Sequence, residues 1–247
     1  ALIYPELLET DKVRVSVTQA KRGEILDRNG RVLAGKGTVS SVGIVPGKLE
    51  NQDDSLKQIA DLLGMKPEEI EKKLSAKWVK EDSFVPVKKL RKVEEIELMS
   101  LEPDEEALKE YERQQRLLEI PGVMISDTEV RSYPLKDAAA HLVGYVQNVT
   151  AEDLEKYSGQ GYTASSVIGK SGAEGLFEKE LKGQNGCRIY IVDSDGNEKE
   201  ELARRIAENG QDIKLTIDSG LQKALYEQFQ SDKSCSVAMN PYTGEVL

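Results

Sequence analysis

Cysteine is almost absent from this 247-residue chain: there are two, Cys187 and Cys235. Two are too few for a disulfide framework, and they stand far apart with no metal-ligand spacing. They read as small buried residues in strands, and they leave the cellular compartment open. Aromatic residues are also scarce, at 5 %, and hydrophobic residues (38 %) only modestly exceed charged ones (32 %). That balance argues for several thin lobes rather than one thick core. No run of eighteen apolar residues occurs, so nothing in this stretch is long enough to span a membrane. No signal peptide precedes it. The opening Ala1-Leu2-Ile3-Tyr4-Pro5 reads as mid-protein sequence, from which a membrane anchor is expected to have been removed. A basic excess is missing too: 34 Lys and Arg against 44 Asp and Glu leave a net charge of −10. A nucleic-acid partner is therefore set aside. Anionic lipid or wall polymers would be repelled wherever no local basic patch intervenes. There is no internal repeat and no low-complexity tract.

What is present is a series of short elements. Val13–Val17 alternates as a strand, and Asn29-Gly30 between two apolar-containing runs is a strong hairpin signal. A further strand, Ser41–Val45, stops at Pro46-Gly47. Leu56, Ile59, Ala60 and Leu63 fall on one helical face before Gly64, and Pro67 opens a second short helix carrying Ile70 and Leu74. Ser83–Val87 reads as a strand, and Val93–Leu118 as charged and mostly helical. Strands are expected at Gly122–Ile125 and Thr128–Ser132, with a short buried helix at Ala138–Leu142. Thr150 with Asp153 approximates a capping box, and Ala173–Leu181 reads as one helix stopped by Gly183. Cys187–Val192 and Asp212–Ile217 read as strands, with turns at Asp195-Gly196 and Asn209-Gly210 between them. Asp218–Phe229 is an amphipathic helix, Ser234–Met239 a strand, and Asn240–Gly244 a turn before the beginning of another strand at Glu245.

Three local patterns invite chemistry and are better explained without it. Lys170-Ser171-Gly172 is a Lys-Ser-Gly triplet that could line a serine-nucleophile site, yet it precedes a helix and has no serine partner upstream. Gly169 and Gly172 read instead as shaping a tight turn. Asp193-x-Asp195-x-Asn197 hints at a calcium loop, but Glu198 and Arg204 occupy the places where that loop needs Gly and Glu, so a hairpin turn fits better. His141, the single histidine, lies in an Ala-rich helix and reads as a hydrogen-bonded core residue.

Five short motifs occur in a fixed order. They are Arg22-Gly23 with Asp27-Arg28-Asn29-Gly30; Arg131-Ser132-Tyr133-Pro134 leading to Ala139–Val146; Ile168–Glu178 followed by Leu181-Lys182-Gly183; Leu215–Gln222; and Asn240–Leu247. Together they resemble the amino-terminal module of class B penicillin-binding proteins, from about Lys12 to the end. Gly43–Pro46, Trp78 and Phe84–Pro86 resemble the low-affinity branch that includes the staphylococcal methicillin-resistance protein. Ala173 departs from the family, which has a larger aliphatic residue there, and so does the long acidic stretch Glu94–Glu119.

The resemblance implies an α+β fold: an elongated β-rich pedestal with a helical insertion lobe, plus the first elements of a transpeptidase domain. Residues 1–11 would link to a missing NTF2-like domain, 12–211 would form the pedestal with its lobe at about 55–118, and 212–247 would begin the catalytic domain. The parent would cross-link peptidoglycan peptides and be acylated by β-lactams, using a serine three residues before a lysine. This sequence contains no Ser-x-x-Lys, so the nucleophile is expected beyond Leu247 and this stretch is expected to be non-catalytic, with no cofactor and no metal. Implied partners are its own transpeptidase domain, cell-wall synthesis proteins and peptidoglycan fragments. The implied location is the extracytoplasmic face of the bacterial membrane. Arg22, Asp27, Arg28 and Glu174 are expected to form one partly buried charge network, supported by Gly23, Gly30, Gly169 and Gly172. By position alone, Arg131 and Tyr133 are candidates for an allosteric groove. Two rival readings remain: a stand-alone extracellular binding module, and a hydrolase using Lys170 and Ser171.

Overall fold

The computed structural model describes residues 10–93 and 105–247. Its strands and helices run, in chain order, β1 (Lys12–Thr18), β2 (Ile25–Leu26), β3 (Val32–Ile44), α1 (Gln52–Leu63), α2 (Pro67–Leu74), β4 (Val85–Arg91), α3 (Glu105–Leu118) and β5 (Val123–Ser132). A 3₁₀ turn at Lys136–Ala139 leads into α4 (Ala140–Val143), β6 (Val146–Asn148), α5 (Ala151–Lys156), β7 (Val167–Gly169), α6 (Gly172–Leu176) and α7 (Glu178–Lys182). The chain continues through β8 (Gly186–Val192), β9 (Glu198–Arg205), β10 (Ile213–Lys214) and α8 (Ser219–Phe229). This mixed α+β architecture divides into two compact units, one of residues 1–35 with 131–247 and one of residues 36–130.

The second unit is the more conventional. α1 presents Leu56, Ile59, Ala60 and Leu63 on one face and ends at Gly64 in the left-handed conformation. Pro67 starts α2, whose missing N–H costs nothing in a first helical turn. These helices pack on Val42 and Ile44 of β3, Val87 and Leu90 of β4, and Leu117, Ile120 and Val123 in one buried apolar cluster. β3 pairs antiparallel with β4, from Val39↔Arg91 to Ile44↔Val85. The helical stretch expected over 55–118 lies inside this unit, and its core takes in strands on either side. The part of that stretch at 94–104 lies outside the described residues.

The first unit holds three sheets. β1, β8 and β9 form an antiparallel three-stranded sheet in the order β1-β8-β9. β10 pairs parallel with β2, and β2 antiparallel with the start of β3. β6 and β7 form a two-stranded ladder. The turn after β2 closes with Asp27 and Arg31 paired and Gly30 at φ +82°, the positive φ that Asn-Gly turns supply. A small apolar cluster of Ile25, Leu33, Ala34, Ala139, Val143, Ala173 and Leu181 sits beneath it.

Several sequence expectations are corrected. Ser41–Val45 is the end of one long strand, because nothing breaks the chain between Val32 and Ile44. The two strands expected at 122–132 are likewise one, β5. The helix expected over Ala173–Leu181 breaks at Phe177 (φ −103°, ψ 24°), giving α6 and α7. Asp195-Gly196 does not lead to the strand at 213. It leads to β9, whose eight residues are all exposed and carry no apolar alternation to reveal them. No strand forms at Ser234–Met239: Val237 and Met239 stay exposed, and a single bridge joins Met239 to Val246. Cys235 is consequently exposed, while Cys187 in β8 is half-buried. His141 is exposed on α4, whose buried residue is Val143, so it is no core residue.

Candidate functional site

In the first unit a carboxylate is buried where the sequence pattern leaves it little apolar cover. Glu174 lies in the first turn of α6 with a fully buried side chain. An isolated buried carboxylate is strongly unfavourable unless it is paired and hydrogen-bonded. Here Oε2 accepts from Arg22 Nε (2.8 Å) and pairs with its Nη2 (2.6 Å). Oε1 accepts from Arg131 Nε (2.6 Å) and from the Tyr133 hydroxyl (3.3 Å). A second carboxylate shares the load. Glu178 Oε2 pairs with Arg22 (2.7 Å) and accepts from the Gly169 amide (2.9 Å), and its Oε1 accepts from Tyr162 (2.7 Å). Two arginines thus face two carboxylates, and the formal charge of the cluster cancels.

The same side chains reach the backbone of distant segments. Arg131 Nη1 donates to the Gly23 carbonyl (2.7 Å), Arg22 Nη2 to the Glu174 carbonyl (3.1 Å), and the Val146 amide to the Tyr133 oxygen (3.0 Å). Burial disfavours the charged form of Arg22, but the hydrogen bond to Glu178 and the charge of Glu174 outweigh it, and its pKa is raised. Burial, with the negative charge of Glu174 added, pushes the Tyr133 phenol up to about 12. Arg22 and Tyr133 therefore stay protonated across the neutral range and act as fixed donors to Glu174.

Of the expected network, Arg22 and Glu174 come together, whereas Asp27 and Arg28 do not join them. Asp27 is buried beneath its own turn. Its Oδ1 accepts from the amides of Asn29 and Arg31 (both 2.8 Å), and its Oδ2 from the Ser219 hydroxyl (2.6 Å) and amide (3.2 Å). Burial alone would raise its pKa, but these bonds, with the Ser219 hydroxyl foremost, lower it to about 2. A carboxylate that accepts two bonds from its own turn and two from Ser219 needs no arginine. Arg28 extends the other way, pairing with Glu245 at 3.5 Å while its amide donates to Ile217. Asp27 and Arg28 therefore bind the hairpin to the start of α8, and Asp218 caps that helix through the amides of Gly220 and Leu221.

Arg131 and Tyr133, named for a ligand groove, both bond to Glu174. Arg131 has a side chain only 9 % exposed. Tyr133 also lines an apolar cavity of about 190 Å³ with Leu33, Leu135 and Val143. Sequence reasoning missed Glu178 and Tyr162 as members of the cluster; the i, i+4 spacing of Glu174 and Glu178 is a signal that could have found the former. Gly172 (φ +55°) lies against Gly144, and a Cβ there would come within 2.6 Å of the Gly144 amide. Lys170 is held by Asp153 at 2.6 Å, and Asp153 completes the capping box with Thr150. Its amine is thus engaged as a structural cation. Asp193 accepts from the amides of Asp195 and Asn197 and closes the β8–β9 hairpin.

Buried ion pairs thus fasten an α+β frame that known proteins share. A family model described as "Penicillin-binding Protein dimerisation domain" matches residues 17–215, and the chain belongs to this family. It is 36 % identical over 248 residues to "Penicillin-binding protein 3" of Bacillus subtilis, covering 100 % of the chain and 34 % of that relative. It is 28 % identical over 239 residues to "Peptidoglycan D,D-transpeptidase MrdA" of Acinetobacter baumannii, covering 97 % of the chain and 34 % of the relative. The Escherichia coli protein of the same name is 28 % identical over 253 residues, covering 99 % and 37 %. The chain thus spans about a third of the length of these relatives. Among solved structures, the complex between Penicillin-Binding Protein (PBP2) and MreC from Helicobacter pylori shares the fold, with a TM-score of 0.59, 21 % identity, and coverage of 95 % of this chain and 42 % of that one.

Proposed function

We propose that this chain is the non-catalytic scaffold module of a peptidoglycan D,D-transpeptidase of the penicillin-binding class, carrying a catalytic domain at a set height on the extracytoplasmic face of the membrane. The observation that carries this reading is the dimerisation-domain match over residues 17–215 in a sequence without Ser-x-x-Lys. The names of the relatives and their roughly threefold greater length support a catalytic partner domain in the same polypeptide. Among the described residues no helix is long and apolar enough to cross a membrane, so in this reading the anchor belongs to another part of the parent. The pairing of β2 with β10 and the Asp27–Ser219 bonds tie the first hairpin to residues 213–219. A scaffold needs such a tie at the place where it hands over to a head.

Two finer features belong to the same proposal. Resemblance at Gly43–Pro46, Trp78 and Phe84–Pro86 favours the low-affinity branch, and with it a role in β-lactam resistance and the binding of wall fragments. The neighbour solved with MreC supports a second class of partner, a protein of the cell-wall synthesis machinery. Incubation with a fluorescent penicillin tests the non-catalytic reading: the chain should remain unlabelled after denaturing electrophoresis. A covalent adduct, and above all one abolished by Ser171→Ala, would return the function to the hydrolase alternative.

A further inference from the structure

The strand β1 is an edge strand with an unusual face. Every residue from Lys12 to Thr18 is exposed, and Val13, Val15 and Val17 are 53, 63 and 53 % exposed. One side of β1 is bonded to β8 along its whole length, Val13 opposite Ile191, Val15 opposite Ile189 and Val17 opposite Cys187. Its other side pairs with no strand among the described residues. An edge strand whose alternate residues turn their amides and carbonyls outward, beside an apolar stripe, is a template for a further strand.

The sequence of β1 selects its own occupant. In an antiparallel pair, directly opposed residues share a face, so two copies of Lys-Val-Arg-Val-Ser-Val-Thr keep their valines together only in registers with a residue at the twofold axis. Centring on Arg14 sets Arg14 against itself, which is repulsive. Centring on Ser16 leaves Lys12 and Val13 without a partner in the opposing β1. Centring on Val15 pairs all seven residues: Lys12 with Thr18, Val13 with Val17, Arg14 with Ser16, and Val15 with its own copy. Valines then meet valines on one face and each cation meets a hydroxyl on the other, with no like charges directly opposed. We propose that β1 is a homodimer surface, on which two copies pair antiparallel about Val15 to join two β1-β8-β9 sheets into one of six strands. The contact is isologous and therefore closes at two copies. Arg14 penalises the neighbouring register and so protects the edge from slipped pairing. The family's description contains the word dimerisation but names no surface; here the surface is assigned from the strand, and the assignment holds whether or not the scaffold reading does.

Cross-linking tests the register directly. In a Cys187→Ser, Cys235→Ser background, Val15→Cys should form a disulfide dimer under mild oxidation, because opposed Cβ atoms on paired strands stand about 4.5–5.5 Å apart. Val13→Cys alone and Val17→Cys alone should remain monomeric, whereas an equimolar mixture of the two should cross-link. Val15→Arg should shift the monomer–dimer equilibrium of the otherwise unchanged chain by about tenfold or more in sedimentation velocity, since it faces its own copy. At concentrations where both chains are monomeric its melting temperature should stay unchanged, because the side chain it replaces is mostly exposed. Cross-linking of Val13→Cys alone as fast as Val15→Cys, or a wild-type chain that stays monomeric at millimolar concentration, would overturn the proposal.

Discussion

The two compact units bury opposite things. Residues 36–130 close around twelve buried apolar side chains drawn from three helices, three strands and the turn at Ile120. The other unit gathers seven in its cluster, three of them in the hairpin, and encloses Glu174, Asp27 and Asp153 as well. In the first arrangement stability is spread over many non-directional contacts, and no single side chain is decisive. In the second it is concentrated in a few bonds whose loss strands a charge. A unit poor in aliphatic residues can still be well determined, provided that its buried polar atoms find partners, as nearly all do here.

That contrast can be broken experimentally. The largest effect is expected from Glu174→Ala, which leaves Arg131 without its carboxylate and Arg22 with Glu178 alone. It should cost about 3–5 kcal/mol, read as a lowered urea midpoint. Hydrogen exchange should accelerate in residues 10–35 and 131–217 while 36–130 stays protected. Equal acceleration in both units would erase the distinction. Leu63→Ala, in the other unit, should cost about 2–5 kcal/mol through the cavity it leaves, with exchange accelerating only within 36–130. The smallest effect is a pH profile. The carboxyl of Asp27 is held at about 2 in the folded chain, against about 3.9 when unfolded. Its contribution is therefore complete above pH ~4 and lost as pH falls toward ~2. Asp27→Asn should lower the midpoint at pH 7 and flatten the profile over that window, and an unaltered acid slope would show that the hairpin carboxylate is not what senses the acid.

The same contrast sets what could be read from the sequence. Leu56, Ile59, Ala60 and Leu63 announce α1 because an apolar face is a periodic property of the chain itself. Asn29-Gly30 announces its turn because positive φ is a local requirement, and Thr150 with Asp153 announces a cap for the same reason. Arg22 and Glu174 meet over 152 positions of separation, and only family resemblance linked them. It also grouped Asp27 and Arg28 with them, because a motif records which residues travel together and not which atoms touch. Asp27 is satisfied by amides two and four residues away and by Ser219, and amide donors leave no trace in composition. β9 escaped notice because a strand built of Glu, Lys and Arg, exposed along its length, has no buried side whose pattern could show. The strand expected at Ser234–Met239 failed for the reverse reason: alternation supplies a face, but among the described residues only the bridge from Met239 to Val246 pairs with it.

Every hydrogen-bonding or ionic partner of Glu174 and Glu178 described above lies outside residues 36–130, and Arg131 is the first residue after that stretch. Evolution can therefore treat the stretch as a cassette. A homologous segment may be grafted between Gly35 and Arg131 without severing a single ionic bond of the clasp, so long as the returning strand delivers an arginine at its end. A splice anywhere from Val146 to Glu174 would cut the clasp in two, and chimaeras made there should be the ones that fail.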